Sequence, residues 1–247
     1  MHSNNQKAQA LAHAIEPLVS TSYPITLPPE YRYAHLSLAL IDTIFSLGAK
    51  YESTQKTVLR YAQSTGLTRF RTALDVWPPI SEQQPISALL AQYRERGLDA
   101  MCFDVLNNRQ RTSTHKSSSI TKAEAVFRAA RLLVDYDVNY FQDIPKITSN
   151  EDFARDFRVI PGQSSGTGLA YWWMLTGSED RIKPDRMVMR FMANVVERQS
   201  LSPEEAQRLA EDALTLLQPQ FPLLTLRQMD YLIWVYERHS QTSTNHP

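Results

Sequence analysis

The residues from 159 to 168, VIPGQSSGTG, place one proline, three glycines and two serines between two helical patterns. Pro161 and Gly162 predict a tight turn, and the small side chains after them leave the backbone N–H groups of the next helix start unobstructed. Such N–H groups can bind an anion, for example a phosphate oxygen, without help from any side chain. The alternative is that the proline and glycines only end one helix and begin the next.

Asp185 follows Pro184 at the start of the next helical pattern, KPDRMVMRFMANVVER. An aspartate in this position is typical of an N-cap, whose carboxylate accepts hydrogen bonds from N–H groups of the first turn. We expect this structural role whatever else the carboxylate does.

Basic side chains form three runs, although the net charge is zero with 26 basic and 26 acidic residues. A neutral chain has no overall attraction for nucleic acid or membranes, so each run is either a solvated face or a local contact for an anion. The runs are Arg109, Arg111, His115, Lys116 and Lys122; Lys50, Lys56, Arg60, Arg69 and Arg71; and Arg181, Lys183, Arg186 and Arg190.

The totals favour a soluble globular protein. A length of 247 residues suits one large domain or two small ones packed together. The single cysteine, Cys102, excludes an internal disulfide framework and a metal cluster built from cysteines. No apolar stretch is long enough to span a membrane, and the N-terminus lacks the apolar segment of a secretory signal, so we expect a cytoplasmic protein.

Helical periodicity covers most of the chain, which predicts an all-α fold of about ten helices. Helix starts are predicted at Thr121, Ser202 and Thr225, each followed three residues later by Glu or Gln, and at Thr148 or Ser149. Residues 107–119, NNRQRTSTHKSSS, form a polar and basic loop that is too long for a simple turn. This loop is either mobile or a binding loop.

Four motifs in this order resemble the helix-hairpin-helix DNA glycosylases, the superfamily that includes endonuclease III. The family hairpin reads Leu-Pro-Gly-Val-Gly-x-Lys-Thr-Ala, and Ile160 to Gly168 stand in its place here, with Pro184 and Asp185 at the matching next helix start. Arg190 and Phe191 continue the match. Upstream, SITKAEAVFRAARLL resembles the segment before the family hairpin, and LIDTIFSLGAKYESTQKTV resembles the helix that carries the intercalating residue. The resemblance covers roughly residues 36 to 195.

The resemblance implies two helical subdomains that flank a cleft, with the hairpin and Asp185 at the cleft. The whole chain is then a single two-lobed unit. One lobe spans about 50–145, the other combines 1–49 with 146–240, and 241–247 form a polar tail.

The activity implied is that of a DNA glycosylase, in which Asp185 stabilises an oxocarbenium-like sugar and orients water after the base has left the stack. Gly166 stands where bifunctional members have their Schiff-base lysine, so we expect a monofunctional enzyme that leaves the strand intact. Ser164 replaces the second hairpin glycine. The cysteines of the family's iron–sulfur loop are absent, and we expect no metal or other cofactor, although the hairpin could hold a monovalent cation.

We expect DNA contacts in four sets, with double-stranded DNA as partner, no membrane, and a monomer that joins the nucleoid when bound. The base-reading loop departs from the family pattern, and it is a candidate because its Asn, Arg and Gln side chains are suited to hydrogen-bond base edges, sugar hydroxyls or phosphate. Four aromatic residues, Tyr51, Trp172, Tyr140 and Trp173, could stack on a flipped base, but aromatic residues on helices are more often part of the core. The sets are the hairpin residues Pro161, Gly162, Gln163, Ser164, Ser165, Gly166 and Thr167; the base-reading loop Asn107, Asn108, Arg109, Gln110, Arg111 and Lys116; the intercalation or base-pocket residues Leu47, Gly48, Tyr51 and Trp172; and the phosphate contacts Lys50, Lys122 and Arg186.

Two other functions remain open from the sequence. One is a catalytically inactive helix-hairpin-helix DNA-binding protein, in which Asp185 is only a helix cap. The other is a helical adaptor without DNA affinity. The target base is equally open: alkylated purines, mismatched or oxidised bases and the modified cytosines of phage genomes all fit, and with them a role in repair or in defence against modified foreign DNA.

Overall fold

The computed structural model describes residues 4–73, 76–113 and 119–243, with side chains up to residue 240. Within this part of the chain there are eleven α-helical segments and no strand, which confirms the all-α prediction. The helices are α1 (Asn4–Ser22), α2 (Leu36–Phe45), α3 (Tyr51–Thr65), α4 (Ile86–Arg96), α5 (Leu98–Ala100), α6 (Lys122–Asp135), α7 (Glu151–Val159), α8 (Thr167–Leu175), α9 (Arg186–Val195), α10 (Pro203–Leu217) and α11 (Leu226–Ser243). The shorter turns are 3-10 helices at Pro29–Arg32, Ile80–Glu82 and Phe141–Lys146, and a π-helical turn at Met101–Val105.

Side-chain caps begin several of these helices where the sequence predicts them. The Thr121 hydroxyl accepts a hydrogen bond from the Glu124 amide at 3.1 Å, at the start of α6. Ser202 and Glu205 form a reciprocal capping box at the start of α10. These local bonds satisfy N–H groups that have no partner within the helix.

The start of α7 differs from its prediction. Asn150, rather than Thr148 or Ser149, is the N-cap, and its side chain accepts the Phe153 amide at 3.0 Å. The reason is that Ile147 and the next two residues still belong to the turn that follows the 3-10 helix, with the Asn150 amide bonded to the Ile147 carbonyl.

The chain divides into two compact units. Unit 1 contains residues 1–27 and 177–247, and unit 2 contains residues 28–176. The lobes expected from the sequence had other boundaries, since residues 28–49 and 146–176 lie in unit 2 with the central helices. The cause is the packing of α2, whose ten residues are all buried and which contacts α3, α6 and α8.

Unit 1 is built around an apolar core shared by four helices. α1 packs against α10 and α11, and α9 packs against α11. Leu11 and Ile15 of α1, Met192 of α9 and Met229 of α11 are completely buried in this core. The core therefore holds the N-terminus of α9, where Asp185 lies, on a packed support.

Unit 2 surrounds α2. The polar loop after the π-helical turn forms a short ribbon there, in which Arg111 pairs with Thr121 in an isolated antiparallel bridge. The Thr112 amide donates to the Ile120 carbonyl at 2.9 Å, and the Lys122 amide to the Gln110 carbonyl at 2.8 Å. The loop is thus ordered on both sides of residues 114–118, which lie outside the described part of the chain.

No helix among the described residues has both the length and the apolar character needed to cross a membrane.

Candidate functional site

The hairpin between α7 and α8 is a series of tight turns in unit 2. The Gln163 amide donates to the Ile160 carbonyl at 2.9 Å, and the Gly166 amide to the Gln163 carbonyl at 3.1 Å. Gly162 and Gly166 have φ angles of 88° and 77°, in the left-handed region that favours glycine. The sequence therefore needs glycine at these two positions for the chain to reverse direction.

The N-terminus of α8 begins without a side-chain cap. Gly166 occupies the N-cap position, and within the described residues no side-chain hydrogen bond caps the helix from there. Ser165 Oγ accepts the Thr167 amide at 3.3 Å, which is a long bond. The first turn of α8 can therefore bond an acceptor from outside the chain, as the sequence suggested for a phosphate oxygen.

Arg158 lies beside this helix start. A Cβ at position 166 would stand 3.3 Å from Nε of the Arg158 guanidinium, so the arginine fills the space beside the glycine. Arg158 is exposed and stands in the last turn of α7. No signal in the sequence singles out Arg158, because only the angle of the hairpin brings the last turn of α7 to the start of α8.

The ribbon and the hairpin are packed together. A Cβ at position 162 would stand 2.6 Å from Cβ of Thr112, which is closer than two carbon atoms can approach. The structure thus joins the two sequence features singled out as binding elements, the hairpin and the polar loop. This contact also covers part of the Gly162 backbone, so the ribbon occupies one side of the hairpin.

Gln163 and Leu47 are packed beneath the hairpin. Gln163 is only 1% exposed, and its Oε1 fills the position that a Cβ on Gly168 would take, with no hydrogen-bond partner among the described residues. Leu47 Cδ1 lies 3.2 Å from the same position. In this structure Gln163 supports α8 from inside, which corrects its assignment to DNA contact. Leu47 is half-buried with its side chain against α8, which does not suit an intercalating wedge, whereas Gly48 is exposed.

Lys122 corrects a second prediction. Its side chain is 4% exposed, and Nζ donates to the carbonyls of Phe45 and Leu47 at 2.9 and 2.7 Å and to Gln110 Oε1 at 3.2 Å. The Phe45 carbonyl is the last of α2 and the Leu47 carbonyl follows just after it, so the cation lies at the C-terminal end of the helix, where it stabilises the helix dipole. The ammonium therefore ties α2 to the ribbon and does not reach a phosphate in this structure.

The base-reading loop separates into anchors and exposed residues. Asn108 is buried, with Nδ2 donating to Thr57 Oγ1 at 2.8 Å, and Gln110 Nε2 donates to Ser53 Oγ at 3.3 Å. Both side chains therefore fasten the loop to α3, which corrects the assignment of Asn108 to base reading. The exposed members, which can meet a ligand directly, are Asn107, Arg109 and Arg111.

The aromatic candidates for the base pocket are placed inside unit 2. Trp172 is completely buried in α8, and Trp173 is 8% exposed. Trp172 therefore belongs to the core in this structure, which corrects its assignment to a base pocket. Tyr51, in the first turn of α3, and Tyr140 are half-buried.

The remaining predicted contacts lie at the surface or beyond the described residues. Lys116 and His115 fall within residues 114–118 and lie outside the described part of the chain. The surface set consists of Lys50, Arg186, Gly162, Ser164 and Ser165, which are exposed, and Pro161, Gly166 and Thr167, which are half-buried.

Asp185 is the N-cap of α9 in unit 1. Its Oδ1 accepts the amides of Met187 and Val188 at 2.8 and 3.1 Å, and the residue is half-buried. The two bonds confirm the expected cap and fix the orientation of the carboxyl group.

The segment that leads to Asp185 is attached to two other helices. From α10, Gln207 Oε1 accepts the Ile182 amide at 3.1 Å, and Gln207 Nε2 donates to the Asp180 carbonyl at 2.8 Å. From α11, Asp230 Oδ1 accepts the Lys183 amide at 2.7 Å. Arg227 of α11 also forms an ion pair with Glu179.

Asp230 is a buried carboxyl group that the sequence analysis missed. Burial, and after it the nearby Asp185 carboxylate, raises the pKa of the Asp230 carboxyl well above its usual range, against a smaller opposite effect of the Lys183 amide and ammonium. No local signal could identify it, since Asp230 and the residue it bonds, Lys183, are 47 positions apart in the chain. The sequence shows only that Asp230 is a charged residue on the apolar face of the last helix.

A resident metal has no ready ligand set in the described residues, where no group of three or more His, Cys, Asp and Glu side chains converges.

Comparison with known proteins identifies a family. A family model described as "Domain of unknown function (DUF8548)" matches residues 9–238, nearly the whole chain, and the protein belongs to this family. Neither the curated proteins nor the solved structures contain a match to the chain.

Proposed function

We propose that this member of the DUF8548 family is a monofunctional DNA glycosylase, which removes a base from double-stranded DNA and leaves an abasic site. The observation that carries the proposal is Asp185, a half-buried carboxyl group fixed by two amides at the N-terminus of α9. A carboxylate held in one orientation can stabilise positive charge on a sugar without reorganising during the reaction.

The reaction breaks the bond between C1′ of the deoxyribose and the base nitrogen. The base leaves with the bonding electron pair and takes up a proton, and positive charge develops at C1′ and the ring oxygen. The Asp185 carboxylate stabilises this charge and accepts a hydrogen bond from the attacking water. The water adds hydroxide to C1′ and releases its other proton to solvent, so the products are the free base and an abasic site.

The hairpin supports DNA binding through a phosphate. The first turn of α8 has no side-chain cap at Gly166, and the Arg158 guanidinium lies beside it. Backbone amides and a guanidinium together form a site for phosphate oxygens. Exposed Arg109 and Arg111 add positive charge to the ribbon, whose Thr112 packs on the hairpin at Gly162.

The absence of lyase activity follows from position 166. A glycine has no amine to form an imine with the sugar, and a guanidinium stays protonated and is not a nucleophile. We therefore expect hydrolysis of the base without a covalent intermediate and without strand cleavage. A monomeric enzyme of this kind acts on chromosomal or foreign DNA in the cytoplasm, and the released base decides between repair and defence.

A second candidate is a DNA-binding protein without catalysis. It is favoured by one observation: the two bonds of Asp185 to the Met187 and Val188 amides are also those of a purely structural cap. In this case the hairpin binds phosphate and Asp185 contributes only to stability.

Duplex oligonucleotides carrying single alkylated, oxidised, mismatched or modified bases test the proposal. After incubation with the protein, alkali cleaves the strand at any abasic site, whereas an untreated sample reports cleavage by the protein itself. We expect alkali-dependent cleavage at one class of base and intact strands before alkali. Salt-sensitive binding with no abasic site on any duplex would favour the second candidate, and no binding at low salt would exclude both.

A further inference from the structure

Asp230 and Asp185 are linked through one residue, Lys183. The Lys183 amide donates to Asp230 Oδ1 at 2.7 Å, and the Lys183 carbonyl accepts the Asp185 amide at 2.7 Å. A shift of the Asp230 side chain therefore moves the peptide groups immediately before Asp185. Asp230 stands in the first turns of α11, a helix packed on both α1 and α9, so the link connects Asp185 to the core of unit 1.

It is unfavourable for Asp230 and Asp185 to be ionised together, because their negative charges repel each other and Asp230 is buried. Asp230 is buried, and ionised Asp185 acts on it through the low-dielectric interior, so its protonated form is favoured. Lys183 is the basic group that acts on it from the same turn. Arg227 on its own helix pairs with Glu179, and Arg190 of α9 pairs with Glu237.

Two other helices packed on α11, α1 and α10, contribute apolar side chains to the core of unit 1. α1 contributes Leu11 and Ile15 to the core, and α10 contributes Leu209 and Ala213. An ionised Asp230 would face a core without a compensating charge from these helices in the described residues.

We propose that Asp230 is the positioning residue of Asp185: as a neutral carboxylic acid it accepts the Lys183 amide, fixes the turn before α9, and so holds the Asp185 carboxylate on its two amides. Neutrality matters because it avoids an uncompensated negative charge in a buried position beside the Asp185 carboxylate. Asp230 itself touches no reacting atom. Its role in catalysis rests on the proposed function, whereas its role in holding the turn does not.

Hydrogen exchange of the Met187 and Val188 amides, which Asp185 caps, measures the positioning without DNA. We expect Asp230→Ala to accelerate their exchange about tenfold or more, because the turn loses its anchor, and Asp230→Asn to restore slow exchange. Asn keeps an oxygen acceptor for Lys183 and carries no charge. Gln207→Ala is the control, since it removes the acceptor of the neighbouring Ile182 amide. Equal acceleration in Gln207→Ala and Asp230→Ala would contradict a specific role for Asp230.

The pH dependence of unfolding tests the neutral form and needs only the Asp230→Asn variant. A carboxyl group with a raised pKa in the folded state stabilises the fold while it is protonated, and this stability is lost as pH rises above the unfolded-state value of about 3.9. From pH 5 to pH 8 we therefore expect the natural protein to lose about 2 to 4 °C or more in Tm relative to Asp230→Asn. A Tm difference that is constant or moves the other way would overturn the proposal.

Base release separates this inference from the proposed function. If the natural protein releases a base, Asp230→Ala should lower kcat about 10- to 100-fold with little change in KM, and Asp230→Asn should restore most of kcat. An Asp230→Asn variant as slow as Asp230→Ala would overturn the positioning role. If the natural protein releases no base, the proposed function has failed, and exchange and pH dependence still decide whether Asp230 holds Asp185 in place.

Discussion

Two helix starts in this molecule satisfy their N–H groups in opposite ways. α8 begins at Gly166 with no side-chain cap, in a hairpin whose turns need two glycines. α9 begins at Asp185, whose carboxyl group takes two amides and whose preceding segment is attached to α10 and α11. The first start is open to an acceptor from outside the chain, and the second is closed by the chain's own carboxylate.

This difference assigns different tasks to the two starts. A helix N-terminus without a side-chain cap from its N-cap residue, next to Arg158, is suited to bind a phosphate, because its first-turn amides can donate to an anion. The N-terminus of α9 already has its amides bonded to Asp185, so it is less suited to bind an anion. It holds the Asp185 carboxylate in a fixed position instead. The proposed function therefore places phosphate binding at the hairpin of unit 2 and the chemistry at Asp185 of unit 1.

The largest effect is expected when Asp185 is replaced by a residue that still caps α9 but carries no charge. Asn and Ser are good N-cap residues, so Asp185→Asn and Asp185→Ser should fold with stability close to that of the natural protein. Both should lose about two to four orders of magnitude in the rate of base release, measured under single turnover, because they lack the carboxylate. Ser202→Ala, which removes the cap of α10, is the control for a lost cap without a lost carboxylate.

That comparison breaks if the carboxylate is only a cap. In that case Asp185→Ser and Asp185→Asn, which keep a capping side chain, would release base at the rate of the natural protein.

The next largest effect concerns the contact between hairpin and ribbon. Gly162→Ala must place a Cβ against Thr112 in a left-handed backbone, and we expect a cost of about 2 to 4 kcal/mol in the free energy of unfolding. Gly48→Ala is the matched control, since Gly48 also has a positive φ, of 61°, but has open space around it. Its cost should be about 1 to 2 kcal/mol. Equal costs in denaturant unfolding would show that the ribbon does not press on the hairpin.

How much the sequence could predict depends on the range of the interaction. The caps at Thr121 and Ser202 follow from residues three positions apart, and both form as expected. The capping of α9 by Asp185 is equally local. The start of α7 was missed by one or two residues because a preceding 3-10 turn extends the non-helical chain up to Asn150.

Contacts between distant segments could not be predicted in this way. Nothing near Lys122 in the chain indicates that its ammonium bonds the carbonyls of Phe45, at the end of α2, and of Leu47 just after it, 77 and 75 positions away. The proximity of Arg158 to Gly166 depends on the hairpin angle, and the link from Asp230 to Lys183 on the packing of α11. These contacts depend on tertiary packing. The packing determines which basic side chain is buried in structural bonds, as Lys122 is, and which stays exposed, as Arg158 does.

A smaller difference in stability is expected between the buried and the exposed residues of the ribbon. Asn108→Ala removes the buried bond to Thr57, so we expect about 1 to 3 kcal/mol of lost stability in thermal or denaturant unfolding. Arg109→Ala, at an exposed side chain, should leave stability within about 0.5 kcal/mol and weaken DNA binding. If Arg109→Ala leaves both stability and affinity unchanged, the ribbon does not contribute to the open start.

The smallest expected effect tests the open helix start itself. Arg158→Gln should weaken DNA binding about three- to tenfold and reduce the slope of log affinity against log salt by about 1, as for one lost phosphate contact. Arg155→Gln, on the same helix but paired with Asp152 and Asp156, is the control and should leave the slope unchanged. Identical salt slopes for the two variants would remove Arg158 from the phosphate site.

The most direct test of the central claim is mass spectrometry of the bases released from several genomic DNAs, including heavily modified phage DNA, by the natural protein and by Asp185→Asn. The account predicts one class of free base from the natural protein, abasic sites in equal amount, intact strands before alkali, and almost no release by Asp185→Asn. Equal release by both proteins, or no free base from any DNA, would contradict it.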